Sequence, residues 1–388
     1  MGYRFFITSV WYCSTFLIIL PLLCNRLKYS MYYGVLWDRN ITEENLRMRE
    51  ENDKRLMEAK QEFRNIMKSN EVVREPNNFT DVVITLITVS RERGDYNPYY
   101  LIQTVSKLLK RLRKDASKLD FTYGVMVCNV DSLPNEYTEA KEISKFIHTT
   151  VKYTKQPNKV MNRFEKEKQD YVYCLQKSLQ FQPKYVLLME DDAYPKDQML
   201  LVLEYGIYNI FEEKYSEFFH RRRKVAYLKL YHPERLLGFL SAEVYRLFEL
   251  AGAIILICMS SIVPTRTFRS RISWNFLIQA CIYVVFLAFA IGRPNLLGIR
   301  TLSPYFHSFV NAPSCCTPAN LYTYKSAKMV IDSMSGKVCY PGHAKDVLLD
   351  EFLGESGYSA IYVEPNIFKH IGQYSSLRQG RVLDPYVV

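Results

Sequence analysis

Apolar and polar positions divide the 388-residue chain into three kinds of stretch. Phe5 to Cys24, Leu247 to Val263 and Trp274 to Ile291 are almost unbroken apolar runs of 17 to 20 residues. At about 1.5 Å of helical rise per residue, each approaches the hydrocarbon thickness of a thin bilayer, so three membrane helices are expected. The alternative for the last two is a helical hairpin buried in a soluble core, although core helices of that length usually keep a polar face. Residues 41 to 75 are instead dense in Glu, Lys, Arg and Asn with spaced Leu, Met and Phe, which predicts a polar helical stem ending at Pro76.

The third pattern alternates strand and helix. Asp81 to Val89 (DVVITLITV) is rich in β-branched residues and reads as a buried strand. Tyr99 to Lys114 places Leu101, Val105, Leu108, Leu109 and Leu112 on one helical face. Phe121 to Val130 predicts a second strand, residues 163 to 180 a second helix, and Lys184 to Met189 a third strand. This order predicts an α/β fold with a mainly parallel sheet and ligands at the C-terminal ends of its strands.

Charge and cysteine usage orient the apolar runs. The loop PTRTFRSRIS carries Arg266, Arg269 and Arg271 and no acid, which places it in the cytosol by the positive-inside rule. Residues 25 to about 243 and 292 to 388 are then luminal. The first run is followed by Asn25-Arg26-Leu27-Lys28-Tyr29, with no small-residue cleavage site, so an uncleaved signal anchor is expected rather than a cleaved signal peptide. The N-glycosylation acceptors Asn40-Ile41-Thr42 and Asn78-Phe79-Thr80 fall on the luminal side. Of nine cysteines, Cys128, Cys174, Cys315, Cys316 and Cys339 lie outside the apolar runs, which allows at most two internal disulfides there. No C-x-x-C pair is present, which argues against a structural zinc site. The net charge of +11 is scattered apart from His220-Arg221-Arg222-Arg223-Lys224, a pattern that suits a solvated face or anionic headgroups. A luminal protein meets no nucleic acid.

Candidate chemistry begins at YVLLMEDDAYP, where Glu190, Asp191 and Asp192 end the third strand at the expected ligand edge. Clustered oxygen ligands without thiolates suit a hard cation such as Mn²⁺ or Mg²⁺, which in turn suits a diphosphate; the bland alternative is a solvated acidic turn. Farther on, KDVLLDEFL groups Asp346, Asp350 and Glu351, and VEPNIFKHIGQYSSL leads an apolar run into His370. A histidine after a strand supplies nitrogen to a metal already held by carboxylates.

The hydrophobic strand ending in EDD, the LDEF helix and the KHIG…SS segment together resemble a glycosyltransferase of the GT-A fold; the last two are similar to those of the N-acetylglucosaminyltransferases that branch N-glycans. LYHPERLLGF before the apolar hairpin, SCCTPANLY after it and MEDDAYP upstream resemble more narrowly the post-GPI-attachment-to-proteins factor 4 family, over nearly the whole chain. That resemblance implies a multi-pass Golgi enzyme that transfers N-acetylgalactosamine from UDP-GalNAc to the mannose core of GPI anchors, with Mn²⁺ or Mg²⁺ and inversion. Its partners would be GPI-anchored proteins, the UDP-sugar and the lipid bilayer. The expected domain plan is a cytosolic end and anchor (1–24), a luminal stem (25–78), and a GT-A-like domain in two parts (79–243 and 292–388) interrupted by a transmembrane hairpin (244–291).

By the same resemblance, Glu190, Asp192 and His370 are the candidate metal ligands, with Asp191 beside them on the donor. The second acid of LDEF stands where the base stands in the similar transferases, so Glu351 is the expected base and Asp350 the alternative; both could instead support the helix N-terminus or pair with Lys345. Val89, Ser90 and Arg91 at the end of the first strand and Asn129 and Asp131 at the end of the second are positioned for the nucleotide, and Thr317 for the sugar. Cys128, near the end of the second strand, and Cys174, on the following helix, are positioned to pair, as is Cys339 with Cys315 or Cys316. Two rivals stay open: a GlcNAc-transferase acting on N-glycans, and a non-enzymatic receptor or transport subunit with a luminal binding domain, for which Glu249 in the second apolar run would be the residue of interest.

Overall fold

The computed structural model describes residues 2–36, 40–68, 75–92, 96–154, 162–212, 224–240, 244–262, 274–374 and 382–383. The helices are α1 (Gly2–Ser14), α2 (Leu20–Cys24), α3 (Ile41–Lys68), α4 (Tyr100–Asp115), α5 (Thr138–Ile143), α6 (Arg163–Leu179), α7 (Met199–Ile210), α8 (Tyr245–Ile262), α9 (Trp274–Ile291), α10 (Arg293–Leu297), α11 (Tyr324–Ser335) and α12 (Lys345–Ser356). The strands are β1 (Val82–Thr88), β2 (Tyr123–Asn129), β3 (His148–Val151), β4 (Tyr185–Glu190), β5 (Ala193–Pro195), β6 (Val225–Lys229), β7 (Ser308–Asn311), β8 (Ala319–Thr323), β9 (Ser359–Glu364) and β10 (Phe368–His370). They divide into two units, one of Met1–Asn40 with Pro233–Leu302 and the other of Ile41–His232 with Ser303–Val388.

The second unit is built on a sheet ordered β3-β2-β1-β4-β8-β6-β9-β7. Strands β3, β2, β1, β4, β6 and β9 run one way, while β8 and β7 oppose them. The β-branched run of β1 is buried on both faces, as helices covering both sides of a sheet require. One face is packed by side chains such as Leu101, Leu108, Ile143 and Leu203 from α4, α5 and α7. The other is packed by Tyr171, Leu175, Val330 and Leu348 from α6, α11 and α12. The three strands expected from the sequence are present with ends shifted by one or two residues. The SCCTPANLY stretch is half loop, half strand β8, which inserts antiparallel beside β4.

Helix α3, expected as a stem, packs along α4. Phe63 and Ile66 are buried, Asn52 Nδ2 donates to Pro98 O at 3.2 Å, and Ser106 Oγ donates to Ala59 O at 3.1 Å. The spaced apolar residues that made it amphipathic cover a neighbour, which is the usual fate of such a stripe.

In the first unit, the described residues of the three apolar runs are helical. Among the described residues no single helix is long and apolar enough to cross a membrane; one bent pair, Leu277–Ile291 with Arg293–Leu302 at 93°, passes by combined length and composition. The bend falls at Gly292, whose φ of +87° is open to glycine and whose added Cβ would lie 2.2 Å from Tyr29 O. Arg293 donates to Glu249 Oε2 through Nε at 2.9 Å and Nη2 at 2.6 Å, and Arg300 Nη2 donates to Glu249 Oε1 at 2.9 Å. Residues 292 to 302 therefore belong with the hairpin, and the unit boundaries fall at His232/Pro233 and Leu302/Ser303 rather than at 243/244 and 291/292. The Arg-rich loop lies outside the described residues, as does most of the basic run at 220 to 224. Asn40 and Asn78 of the two acceptor tripeptides are exposed.

Cys128 and Cys174 form a disulfide joining β2 to α6, as their positions predict. Among the described residues no disulfide joins Cys339 to Cys315 or Cys316, so the second expected bridge is not formed. Cys339 is held beside α6, its N–H donating to Glu165 Oε2 at 2.7 Å, whereas the Cys315 and Cys316 sulfurs lie 2.8 Å from each other in the loop before β8.

Gly124 in β2 marks a close backbone approach, since an added Cβ would stand 2.7 Å from Pro76 Cα. Gly124→Ala is expected to cost about 1–3 kcal/mol. A melting temperature equal to the wild type's would show that the Pro76 segment yields without cost.

Candidate active site

The end of β4 gathers three acids, and each has a different neighbour. Glu190 Oε1 accepts from Lys345 Nζ at 2.7 Å, and the same ammonium pairs with Glu167 at 2.8 Å. Lys345, on the first turn of α12, is buried; burial lowers its pKa, but Glu167 and Glu190 outweigh that and keep it charged. Asp191 is 1% exposed and accepts from Thr88 Oγ1 at 2.8 Å and Arg91 Nη2 at 2.8 Å. Thr88 continues into a buried chain, its hydroxyl 2.7 Å from Tyr137 OH, which donates to Glu139 Oε2 at 3.2 Å. Burial pushes the Glu139 carboxyl up to about 8.

Asp192 is the acid that meets the histidine. The short ribbon of β5 and β10 pairs Ala193 with His370, and Ile371 N–H donates to Asp192 O at 2.9 Å. His370 Nε2 then lies 3.5 Å from Asp192 Oδ2, which is 3.0 Å from Arg91 Nη1. Burial would raise the Asp192 pKa, yet Arg91 and His370 hold it well below the usual carboxylate range. Burial would lower the His370 imidazole, and Asp192 raises it overall. Asp192 Oδ1 is buried without a hydrogen-bond partner among the described residues. Gly372 closes this corner: an added Cβ would fall 2.1 Å from Asp192 Oδ2 and 3.0 Å from His370 Nε2.

The loop before β8 adjoins the end of β4, where Glu190 N–H donates to Pro318 O at 2.8 Å. Ser314 Oγ donates to Asp350 Oδ2, and Cys316 N–H donates to Asp346 Oδ2 at 3.3 Å. Asp346 and Asp350 are one helical turn apart and so share a face of α12. Lys229 Nζ, at the end of β6, donates to Pro313 O at 2.8 Å and to Cys315 O, fixing the same loop. Glu351 points elsewhere, to Lys337 Nζ at 3.1 Å and His343 Nε2 at 3.5 Å, and is 38% exposed. Thr317 is buried with Oγ1 unpartnered among the described residues. At the ends of β1 and β2, Val89 N–H donates to Asp191 Oδ2 at 3.4 Å, Ser90 N–H donates to Asp131 Oδ2 at 2.8 Å, and Asn129 Oδ1 accepts from Asp131 N–H at 2.9 Å.

Val89, Ser90, Arg91, Asn129, Asp131, Asp191, Asp192 and His370 thus lie along one sheet edge, with Glu190 tied to α12 beside them. Lys345 neutralises Glu190 and pairs with neither Asp350 nor Glu351. The sequence marked Lys345 only as a partner for Asp350 or Glu351, and Lys229 only as a lysine next to a named motif. Among the described residues no three His, Cys, Asp or Glu side chains form a ready cage for a metal ion. A buried carboxylate with a free oxygen beside an imidazole nevertheless fits a hard cation that takes the rest of its shell from phosphate and water.

The acid, arginine and histidine set thus stands at the C-terminal ends of parallel strands, the edge at which such sheets bind ligands. The family described as GPI-N-acetylgalactosamine transferase PGAP4 matches residues 82–369, and the chain belongs to it. Among solved structures, the chain is similar to a protein described as a nucleotide-diphospho-sugar transferase from Desulfovibrio desulfuricans G20, with 13% identity over 34% of this chain and 55% of that one, at a TM-score of 0.20. It is also similar to a mannosyltransferase from Pyrobaculum calidifontis in complex with GDP-Man and Mn²⁺, with 14% identity over 50% of this chain and 48% of that one, at a TM-score of 0.21. The chain therefore spans about half the length of each.

Gly372→Ala is expected to displace the Asp192 carboxylate or His370 and to cut turnover about 10²-fold or more, since a shift of about 1 Å in a catalytic group has that consequence. Retained turnover with an unchanged melting temperature would show that the corner is not part of the working site.

Proposed function

We propose that this protein transfers N-acetylgalactosamine from UDP-GalNAc to the mannose core of GPI anchors on proteins, with inversion at the sugar. The family's description supports the sugar and the acceptor. The observation that carries the chemistry is the buried Asp192 with an unpartnered Oδ1 beside His370, next to Glu190, which Lys345 ties to the acid-bearing helix α12.

In this reading Asp192 and His370 hold Mn²⁺ or Mg²⁺. When bound, the metal supplies Lewis-acid neutralisation of the diphosphate leaving group. Arg91, already drawn to this corner by Asp191 and Asp192, adds a second positive charge for the phosphates. Asp350 takes the proton of the acceptor hydroxyl as that oxygen attacks the far face of the sugar. Its place beside the loop before β8 favours it over Glu351, which is engaged with Lys337 and His343. Thr317 and Asp346 border the sugar pocket. Glu190 and Lys345 brace the base helix against β4.

The bilayer is the second partner. Helices α8 and α9 flank the Arg-rich loop, and with the N-terminal helix they anchor the protein in the Golgi membrane with its catalytic unit in the lumen. The Cys128–Cys174 disulfide supports an oxidising compartment. A lipid-tethered acceptor gives such an enzyme reason to be held at several points, because orientation supplied in advance lowers the entropic cost of the encounter.

The test is hydrolysis of UDP-GalNAc and UDP-GlcNAc, and transfer to GPI-anchored protein, by the purified full chain. Turnover of UDP-GalNAc that a chelator abolishes and Mn²⁺ restores is the expected result; preference for UDP-GlcNAc, or no turnover of either, would overturn the reading. Asp192→Asn should remove both turnover and the rise in melting temperature that Mn²⁺ produces, because a ligand stabilises the state it binds. A full Mn²⁺-induced rise in that variant would sink the ligand assignment. Asp350→Asn should lose about 10²-fold or more in transfer while still binding UDP, and Glu351→Gln should lose little. The reverse pattern would return the role of base to Glu351.

A further inference from the structure

Beyond the end of β2 lies a half-buried ionic triad that the chemistry above does not use. Lys152 follows β3, its backbone N–H donating to Asn129 O at 3.0 Å. Its Nζ donates to Asp170 Oδ1 at 2.7 Å. Lys166 Nζ donates to Asp170 Oδ2 at 2.7 Å and to Val130 O at 2.9 Å. Tyr153 OH donates to Asp170 Oδ1 at 3.0 Å, and both ammonium groups stand about 5 Å from its ring, at 4.9 and 5.0 Å. The side chains of Lys152, Asp170 and Lys166 are 13%, 7% and 26% exposed. Burying two ammonium groups around one carboxylate leaves a net positive charge that a structural ion pair alone does not need.

The row presents a donor, an acceptor and a donor. An ammonium has three protons and a carboxylate about four acceptor positions. Among the described residues, the bonds above leave two protons on Lys152, one on Lys166 and one acceptor position on Asp170 Oδ2. The imide edge of uracil presents the complement: O2 accepts, N3–H donates, O4 accepts. Cytosine sets an acceptor where the carboxylate stands, and guanine a donor where one ammonium stands. The triad also abuts Asn129, Val130 and Asp131 at the C-terminal end of β2, and Asp131 is bonded to Ser90 at the end of β1. That is the edge at which doubly wound sheets hold nucleotides.

We propose that Lys152, Asp170 and Lys166 read the uracil of the donor and so select uridine nucleotides over cytidine and guanosine ones. The inference rests on the UDP-sugar reading above and adds a base-selecting site to it.

The experiment is calorimetric titration of the full chain in detergent, with Mn²⁺, using UDP, CDP, GDP and inorganic pyrophosphate as probes. The wild type should bind UDP at least about 10-fold more tightly than CDP or GDP, the scale of one lost hydrogen bond to a charged group. Lys152→Met with Lys166→Met should weaken UDP about 10- to 100-fold toward the CDP level while leaving pyrophosphate unchanged. Should the double variant fail to fold, Lys166→Met alone, at a partly exposed position, should narrow the same preference. Asp170→Asn places an amide donor opposite N3 and should move the preference toward CDP, a change that loss of packing would not produce. An unchanged UDP-to-CDP ratio in these variants, or equal weakening of UDP and pyrophosphate, would overturn this inference alone. No binding of any nucleoside diphosphate by the wild type would overturn the donor reading and this inference with it.

Discussion

Everything at the site follows from the need to neutralise three consecutive carboxylates at the end of a buried strand. Removing a charge from water costs several kcal/mol unless a counter-charge with good geometry accompanies it. Glu190 is matched by Lys345, and Asp191 by Arg91. Asp192 shares Arg91 and adds His370. The three cations come from three distant parts of the chain: the loop after β1, the first turn of α12 and the last residue of β10. Satisfying the triplet therefore pins α12, the loop after β1 and the β5/β10 ribbon to one point.

That pinning explains several local features. The β5/β10 ribbon is only three residues long on each side, yet it sets His370 against Asp192, and the tight corner admits only glycine at 372. Strand β8 enters antiparallel so that the loop before it meets the acids of α12, and Lys229 holds that loop through two of its carbonyls. Asp192 keeps an unpartnered oxygen among the described residues, in an otherwise neutralised cluster, which is the arrangement expected of a ligand site.

The first unit obeys the same rule by itself. Glu249, at the start of an apolar helix, is clamped by Arg293 and Arg300. An acid among apolar helices needs such partners, so its placement is accounted for by the structure of this unit. The reading of Glu249 as a mark of transport is not required.

By itself the sequence determined the elements and the triplet. Buried strands of β-branched residues, the 3.6-residue period of α4 and α6, and acids at the end of β4 are local signals, because they depend on neighbours a few residues away. The Cys128–Cys174 pair was legible for a related reason, since a strand end and the helix after the next strand are brought close by the fold class itself. Helix α3 was visible as amphipathic, but not what its apolar stripe would cover. Tertiary structure alone decided which acid of LDEF faces the loop before β8, because the phase of α12 is set by Lys345 seeking Glu190 across 155 residues of chain. It also decided that Lys152, Asp170 and Lys166 form a row, and that Arg91 bridges two acids 100 residues away. Periodicity can say which side chains share a face, whereas charge pairing between distant segments depends on where the folded backbone brings them.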